Sequence, residues 1–346
     1  MSRFDVARRI SWHTEAIAKS LGVDITKALD PLDPDDFITI SVRLARALRG
    51  AAVGLEGDAL KGAIESLDVD WLTISEDRRD AIISAARAEV AGMAATITPI
   101  VEPVLYTSAS TLVPLARTAA ISRFEIKGLE AMAEWTKGIV GDLRDSQMVY
   151  VKDQYAARAD RFDTVARDVV ASGLERGLGR DDISAELSAQ LTPLGAERGT
   201  NYWNLIANDF ANKSRIVSQL NTFQDAGIAR WRYDAVLDEA TSEICRLLHG
   251  RVFSVKKAVS KMNDSLKLRD PEEVRNSMPW VQASGSQLYF QSNDKRHDVA
   301  TVHEAGEGSK DKIGTYGNVM SNAALEKAGV VVPPRHGHCR SNLTAV

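Results

Sequence analysis

The sequence predicts an α+β protein: an extended, mostly α-helical N-terminal region followed by a small mixed domain of short antiparallel strands and helices. Three observations carry this. Apolar residues recur at helical spacing through most of the first 226 residues. Strand-type alternation starts immediately after Gly227. Short apolar runs separated by glycines and turn residues fill the remainder. Aromatic residues make up only 6% of the chain, which favours long helices packed on one another or on a partner over a compact enzyme core.

The helical elements follow in order. Phe4, Ala7, Ile10, Ile17 and Leu21 share one face of a first helix, which Gly22 can stop. Asp35 or Asp36 can cap a second, with Ile40, Leu44, Ala47 and Leu48 as its stripe. Ser75 can cap a third, with Ile82, Ala86, Val90 and Met93 in register. Pro99, Pro103 and Pro114 then predict a loop or elbow over 98–114, because proline removes a helical hydrogen bond and clashes with the preceding turn. Helical signal returns from about residue 115 to 176 and ends at Gly177 and Gly179; Phe162, Val165, Val169 and Leu174 form its last stripe. A short helix follows, capped by Asp181 or Asp182 and stopped by Pro193. A long one then buries Tyr202, Ile206, Phe210, Val217, Leu220 and Phe223 before Gly227.

Beyond Gly227, Ala229, Trp231, Tyr233 and Ala235 fall on one face of a strand. Asp238 to Leu248 reads as a helical turn closed by Gly250, and 251–255 as a short strand. Residues 287–290 and 299–303 read as a hairpin pair around Ser292-Asn293-Asp294-Lys295. The glycines at 306, 308, 314 and 317 predict a loop, and Asn322 to Ala328 a short helix stopped by Gly329. Pro333 and Pro334 keep the following segment extended. The expected divisions are 1–110, a helical subdomain; 111–227, a long-helix region; and 228–346, the small mixed domain.

A net charge of −4 argues against coating nucleic acid by charge alone. The cluster Arg251, Lys256, Lys257, Lys261, Lys267 and Arg269 reads first as a solvated face. No run of some 18 apolar residues predicts a membrane span, and residues 1–5 lack a signal-peptide layout. Only two cysteines occur, as expected for a protein made in a reducing cytoplasm. No P-loop, dinucleotide fingerprint, G-x-S-x-G or H-E-x-x-H is present. The acid pairs Asp35-Asp36, Asp181-Asp182 and Glu272-Glu273 sit at expected helix starts, where negative charge suits the dipole.

The two cysteines stand in two short segments, Leu237 to Gly250 and Val332 to Ser341. In the first, Cys245 and His249 would share a helical face, being four residues apart. In the second, His336 and Cys339 lie three apart. Cys245, His249, His336 and Cys339 together have the composition of a closed, structural zinc site. A Cys245–Cys339 disulfide is the alternative; on a loop-entropy model it would stabilise by roughly 4–5 kcal/mol. Two reduced thiols packed beside histidines are the third reading.

The ordered set resembles the phage head morphogenesis family, the minor head proteins of the phage Mu F-like kind. That family shows a long helix, a Trp-containing strand, an acidic D-E-x-T-C-x-x-C-x-x-L-D/H-G stretch and a closing P-P-x-H-x-x-C-R. Here these are Ala229 to Asp234, Asp238-Glu239 to His249-Gly250, and Pro333-Pro334 to Cys339-Arg340, over roughly residues 180–345. Ser242 and Ser341 stand where many members carry further cysteines, so a four-cysteine site does not carry over. Cys245, His336 and Cys339 match the pattern, and His249 sits at a variable position.

The resemblance implies a non-enzymatic minor head protein of a phage or prophage particle. It implies multiple copies bound to the portal or major capsid protein, in the head interior or near the portal, aiding head assembly and DNA packaging. The protein would be made in the host cytoplasm, without a membrane partner, with packaged DNA as a further partner. The competing expectation is a metal-dependent nuclease or toxin-like effector around His336, His338 and Cys339. Against it, the sequence ends seven residues after Cys339, leaving no added effector domain expected there.

Overall fold

The computed structural model describes residues 29–130, 133–308 and 312–346. The helix expected over 4–21 lies outside the described residues.

Helix α1, Pro34–Glu65, starts where Asp33 accepts hydrogen bonds from the amides of Asp35 and Asp36, with Pro34 in the first turn. The cap thus precedes the expected one by two or three residues. Ile40, Leu44 and Leu48 are buried. Helix α2, Glu76–Arg123, starts after Ser75 as expected. It then runs unbroken through Pro99, Pro103 and Pro114, so the elbow over 98–114 does not form. Residue 110, the first expected division, lies inside this helix. Packing outweighs the local penalty: Ile97, Val101, Val104, Leu105, Leu112 and Val113 are buried against neighbouring helices. By length and composition, part of α2 is apolar enough to cross a membrane. Here it packs on the other helices of the body.

A connection containing Phe124 and Ile126 leads to α3, Trp135–Glu175, which stops one residue before Arg176 and the left-handed Gly177. Helix α4, Arg180–Leu191, is capped by Gly179, with Asp181 and Asp182 in its first turn and Ile183, Leu187 and Leu191 buried. Helix α5, Pro193–Asp225, begins at the very proline expected to stop its predecessor, because proline fits the first helical turn. Helix α5 is the hub. It packs on α1, α2 and α3, and also on the C-terminal elements. Trp203, Ile206, Phe210, Val217, Leu220 and Phe223 along it are buried.

Strand β1, Arg230–Asp234, buries Trp231 and Tyr233 and turns Arg230 and Arg232 outward. It is the centre of a three-stranded antiparallel sheet. On one side is β2, Val252–Ser254, with Trp231 opposite Phe253. On the other is β7, Asn342–Ala345, with Tyr233 opposite Leu343. Between β1 and β2 lies the short helix α6, Glu243–Leu248. Helices α7, Val255–Leu266, and α8, Pro271–Ser277, follow.

A second antiparallel sheet orders β3, Gln282–Ser284; β4, Gln287–Ser292; β5, Lys295–Glu304; and β6, Thr315–Gly317. The β4–β5 hairpin was expected. Asn293 and Asp294 both take positive φ at its turn, a conformation these residues tolerate best after glycine. Strand β6 occupies part of the stretch expected to be loop. Helix α9, Asn322–Ala328, ends at Gly329 as expected. Gly329 has φ +78°, and a Cβ there would sit 2.5 Å from the Ser277 carbonyl oxygen.

Candidate functional site

Three elements meet beside Tyr233. Strand β1 supplies Tyr233, α6 supplies Cys245, and the segment between α9 and β7 supplies His336 and Cys339. Its prolines keep the last segment out of helix, in bends and a turn, and α5 holds it from below. Arg215 of α5 is fully buried and donates to the carbonyls of Arg340 (2.7 Å), Ser341 (2.9 Å) and Pro31 (3.2 Å). Its guanidinium also lies 3.6 Å from the ring centroid of Phe37. Asn212 donates to the Cys339 carbonyl and Gln219 to that of Leu343. Arg335, also fully buried, donates to the Gly329 and Pro279 carbonyls. On the outer side Arg340 pairs with Asp238 at 2.6 Å.

This framework brings Cys245 Sγ within 3.1 Å of His336 Nε2 and 3.9 Å of Cys339 Sγ. The three side-chain atoms all lie within 4.8 Å of one another. The Tyr233 hydroxyl is 3.2 Å from Cys245 Sγ. Both cysteines are buried and both are free thiols. A sulfur separation of 3.9 Å is far beyond a disulfide bond of about 2.05 Å.

The hydrogen bond to Cys339, and then burial, push the Cys245 thiol well above its usual range. Receiving that bond holds Cys339 well below its own, against the effect of burial and with help from His336. Burial opposes charge on His336, but its contacts with Cys339 outweigh this and raise its pKa. Burial, and then Cys245, push the Tyr233 hydroxyl upward.

Of the four predicted ligands, Cys245, His336 and Cys339 converge and His249 does not. Helix α6 ends at Leu248, and His249 turns into extended backbone with ψ 132°. Its amide still donates to the Cys245 carbonyl at 3.0 Å, but its side chain is drawn toward the end of β1. The His249 ring instead accepts a hydrogen bond at Nδ1 from the Ala235 amide at 3.1 Å. A closed set of these four ligands is not what the chain builds.

The site borders a cavity of about 510 Å³ walled by Arg46 and Arg49 of α1, Asn208 of α5, Ser242, His338 and Arg340. His336 lines it too. The Ser242 and Asn208 side-chain oxygens are buried and have no hydrogen-bond partner among the described residues. No carboxylate is among the lining side chains described. His338 reaches this wall from a left-handed backbone, φ +58°.

Sequence reasoning missed Tyr233 as a neighbour of the cysteines, and Asn212, Arg215 and Arg335 as supports. One signal was available. Asn208, Asn212, Arg215 and Gln219 recur at helical spacing beside the apolar stripe of Ile206, Phe210, Val217 and Leu220, which marks a polar stripe at the edge of the core.

Residues 164–344 match the family model described as Phage Mu protein F like protein. No curated protein and no solved structure matches the chain. The matched stretch begins within α3 and takes in α4, α5, both sheets and the Cys/His cluster, more than half of the sequence. The chain therefore belongs to the Phage Mu protein F like family, a family of phage head morphogenesis proteins.

Proposed function

We propose that this virion-associated protein is a structural, non-enzymatic component of the phage head. Its helical body binds the portal or the inner capsid, and it aids head assembly and DNA packaging. The observation that carries this reading is the family match over 164–344. The surface of α1 is in keeping with it. Ile38, Val42 and Val53 lie within about 60° on one helical face, at 100° per residue. They are 39%, 52% and 45% exposed among the described residues. Apolar side chains aligned in this way suit packing against another subunit. With a net charge of −4, contact with packaged DNA would be local rather than spread over the surface.

The test is co-expression with the portal and major capsid proteins of the same particle. Co-purification with one of them is expected, and Ile38→Asp/Val42→Asp should reduce it at least about tenfold. Failure to co-purify with either, together with normal infectious heads from a phage lacking the gene, would contradict the reading. Cleavage of plasmid DNA by the purified protein, abolished in His338→Ala, would favour a metal-dependent nuclease instead.

A further inference from the structure

We propose that Cys245, His336 and Cys339 bind one zinc ion through three protein ligands, with the fourth coordination position turned toward the arginine-lined cavity. The inference rests first on distances. Zinc–sulfur bonds of about 2.3 Å and zinc–nitrogen bonds of about 2.0–2.1 Å, at tetrahedral angles, place two sulfurs about 3.8 Å apart. The same geometry places sulfur and nitrogen about 3.6 Å apart. The observed sulfurs are 3.9 Å apart, and Cys245 Sγ lies 3.1 Å from His336 Nε2. An ion between them needs the histidine to withdraw by about half an ångström, a side-chain adjustment.

The second observation is the orientation of the imidazole. His336 Nδ1 lies 2.7 Å from the Gly337 carbonyl oxygen. A carbonyl can only accept, so Nδ1 carries a proton, and in the neutral ring Nε2 then presents its lone pair to the sulfurs. This tautomer is the one a metal-ligating histidine requires, fixed by the partner of its other nitrogen. The Tyr233 hydroxyl, 3.2 Å from Cys245 Sγ, supplies an outer hydrogen bond to a ligating sulfur.

The third observation concerns the fourth position. Three protein ligands leave one tetrahedral corner for a water molecule. His336 and Ser242 both line the cavity, and the buried Ser242 hydroxyl lacks a partner among the described residues. Zinc here would join α6 to the closing segment across 91 residues of sequence, counted from Cys245 to His336. It would reinforce the hold that Arg215 and Asn212 have on the same segment.

The experiment uses the full chain, purified under reducing conditions with zinc and then dialysed. One zinc per chain is expected by elemental analysis. Replacement by cobalt should give the intense visible bands of a tetrahedral thiolate site. Cys339→Ser and His336→Ala should each weaken binding by at least about tenfold, whereas His249→Ala should bind like the wild type. Should Cys339→Ser fail to fold, titrating wild-type thiols with a mercurial reagent should release one zinc per two thiols blocked. Less than about a tenth of an equivalent of zinc with colourless cobalt protein would overturn the proposal. So would equal losses from His249→Ala and His336→Ala, or an intact mass showing a disulfide-linked chain.

Discussion

Buried arginines that donate to backbone carbonyls set the C-terminal part of this protein. Arg215 ties the closing segment to α5 and to the turn before α1. Arg246 donates to the carbonyls of Asp238, Thr241, Glu307 and Lys312, fastening α6 to the loop before β6. Removing such a group leaves several buried acceptors unpaired, the costly half of a hydrogen bond. Arg215→Ala is therefore expected to destabilise by about 3–5 kcal/mol, read as a lower urea midpoint at unchanged slope. A surface control, Arg296→Ala, should stay within about 0.5 kcal/mol. Asp238 makes a pH-dependent contribution. The Arg340 hydrogen bond holds its carboxyl below the ordinary aspartate range. Its stabilisation is then fully present above about pH 4 and disappears as the pH falls through its folded value. Asp238→Asn should cost about 0.5–1 kcal/mol at pH 7, and the gap to wild type should close on acidification. A gap that persists at low pH would remove the pair from the account. The targets of the arginine clamps were not legible in the sequence, because backbone carbonyls carry no side-chain signature; the polar spacing along α5 was the one trace of them.

At the scale of elements, legibility followed the range of the signal. Helix α1, the short helix α4, the β4–β5 hairpin and the α9–Gly329 stop could be read because cap, stripe and turn residues lie within a few positions of each other. The prolines of α2 misled for the complementary reason. Their cost is local, whereas the burial that offsets it comes from helices distant in sequence. Strand β7 pairs with β1 from far earlier in the chain, and β3 is a short edge strand with every residue exposed, so alternation did not reveal either. In the candidate site, three of the four residues expected to meet do converge: Cys245, His336 and Cys339. The fourth, His249, turns its ring to the Ala235 amide instead. The continuity of α2 makes a sharp prediction. Pro99 is exposed, and Pro99→Ala would restore a helical amide without opening a cavity. It should stabilise by about 1–3 kcal/mol, the interior-proline penalty less the entropy that alanine returns to the unfolded chain. A neutral or destabilising result in a thermal melt would point to a bend there instead.

At the scale of the molecule, α5 joins the two halves. One stretch of it packs against the helical body, and its polar stripe holds the closing segment and β7. The family match begins before α5 and ends within β7, so the matched unit includes this hub rather than the mixed sheet region alone. Such an arrangement should unfold as one cooperative unit. Urea transitions followed by tryptophan fluorescence and by far-UV circular dichroism are expected to coincide, and separate midpoints would show independent halves. A rigid helical body carrying an apolar α1 face, tied to a compact closure, is suited to being built into a larger assembly. The most direct measurement is quantitative mass spectrometry of purified phage particles, with and without packaged DNA. A head component predicts peptides of this chain in both preparations, at a constant ratio to the portal protein. Absence from every particle, with the protein found only in the host lysate, would contradict the account.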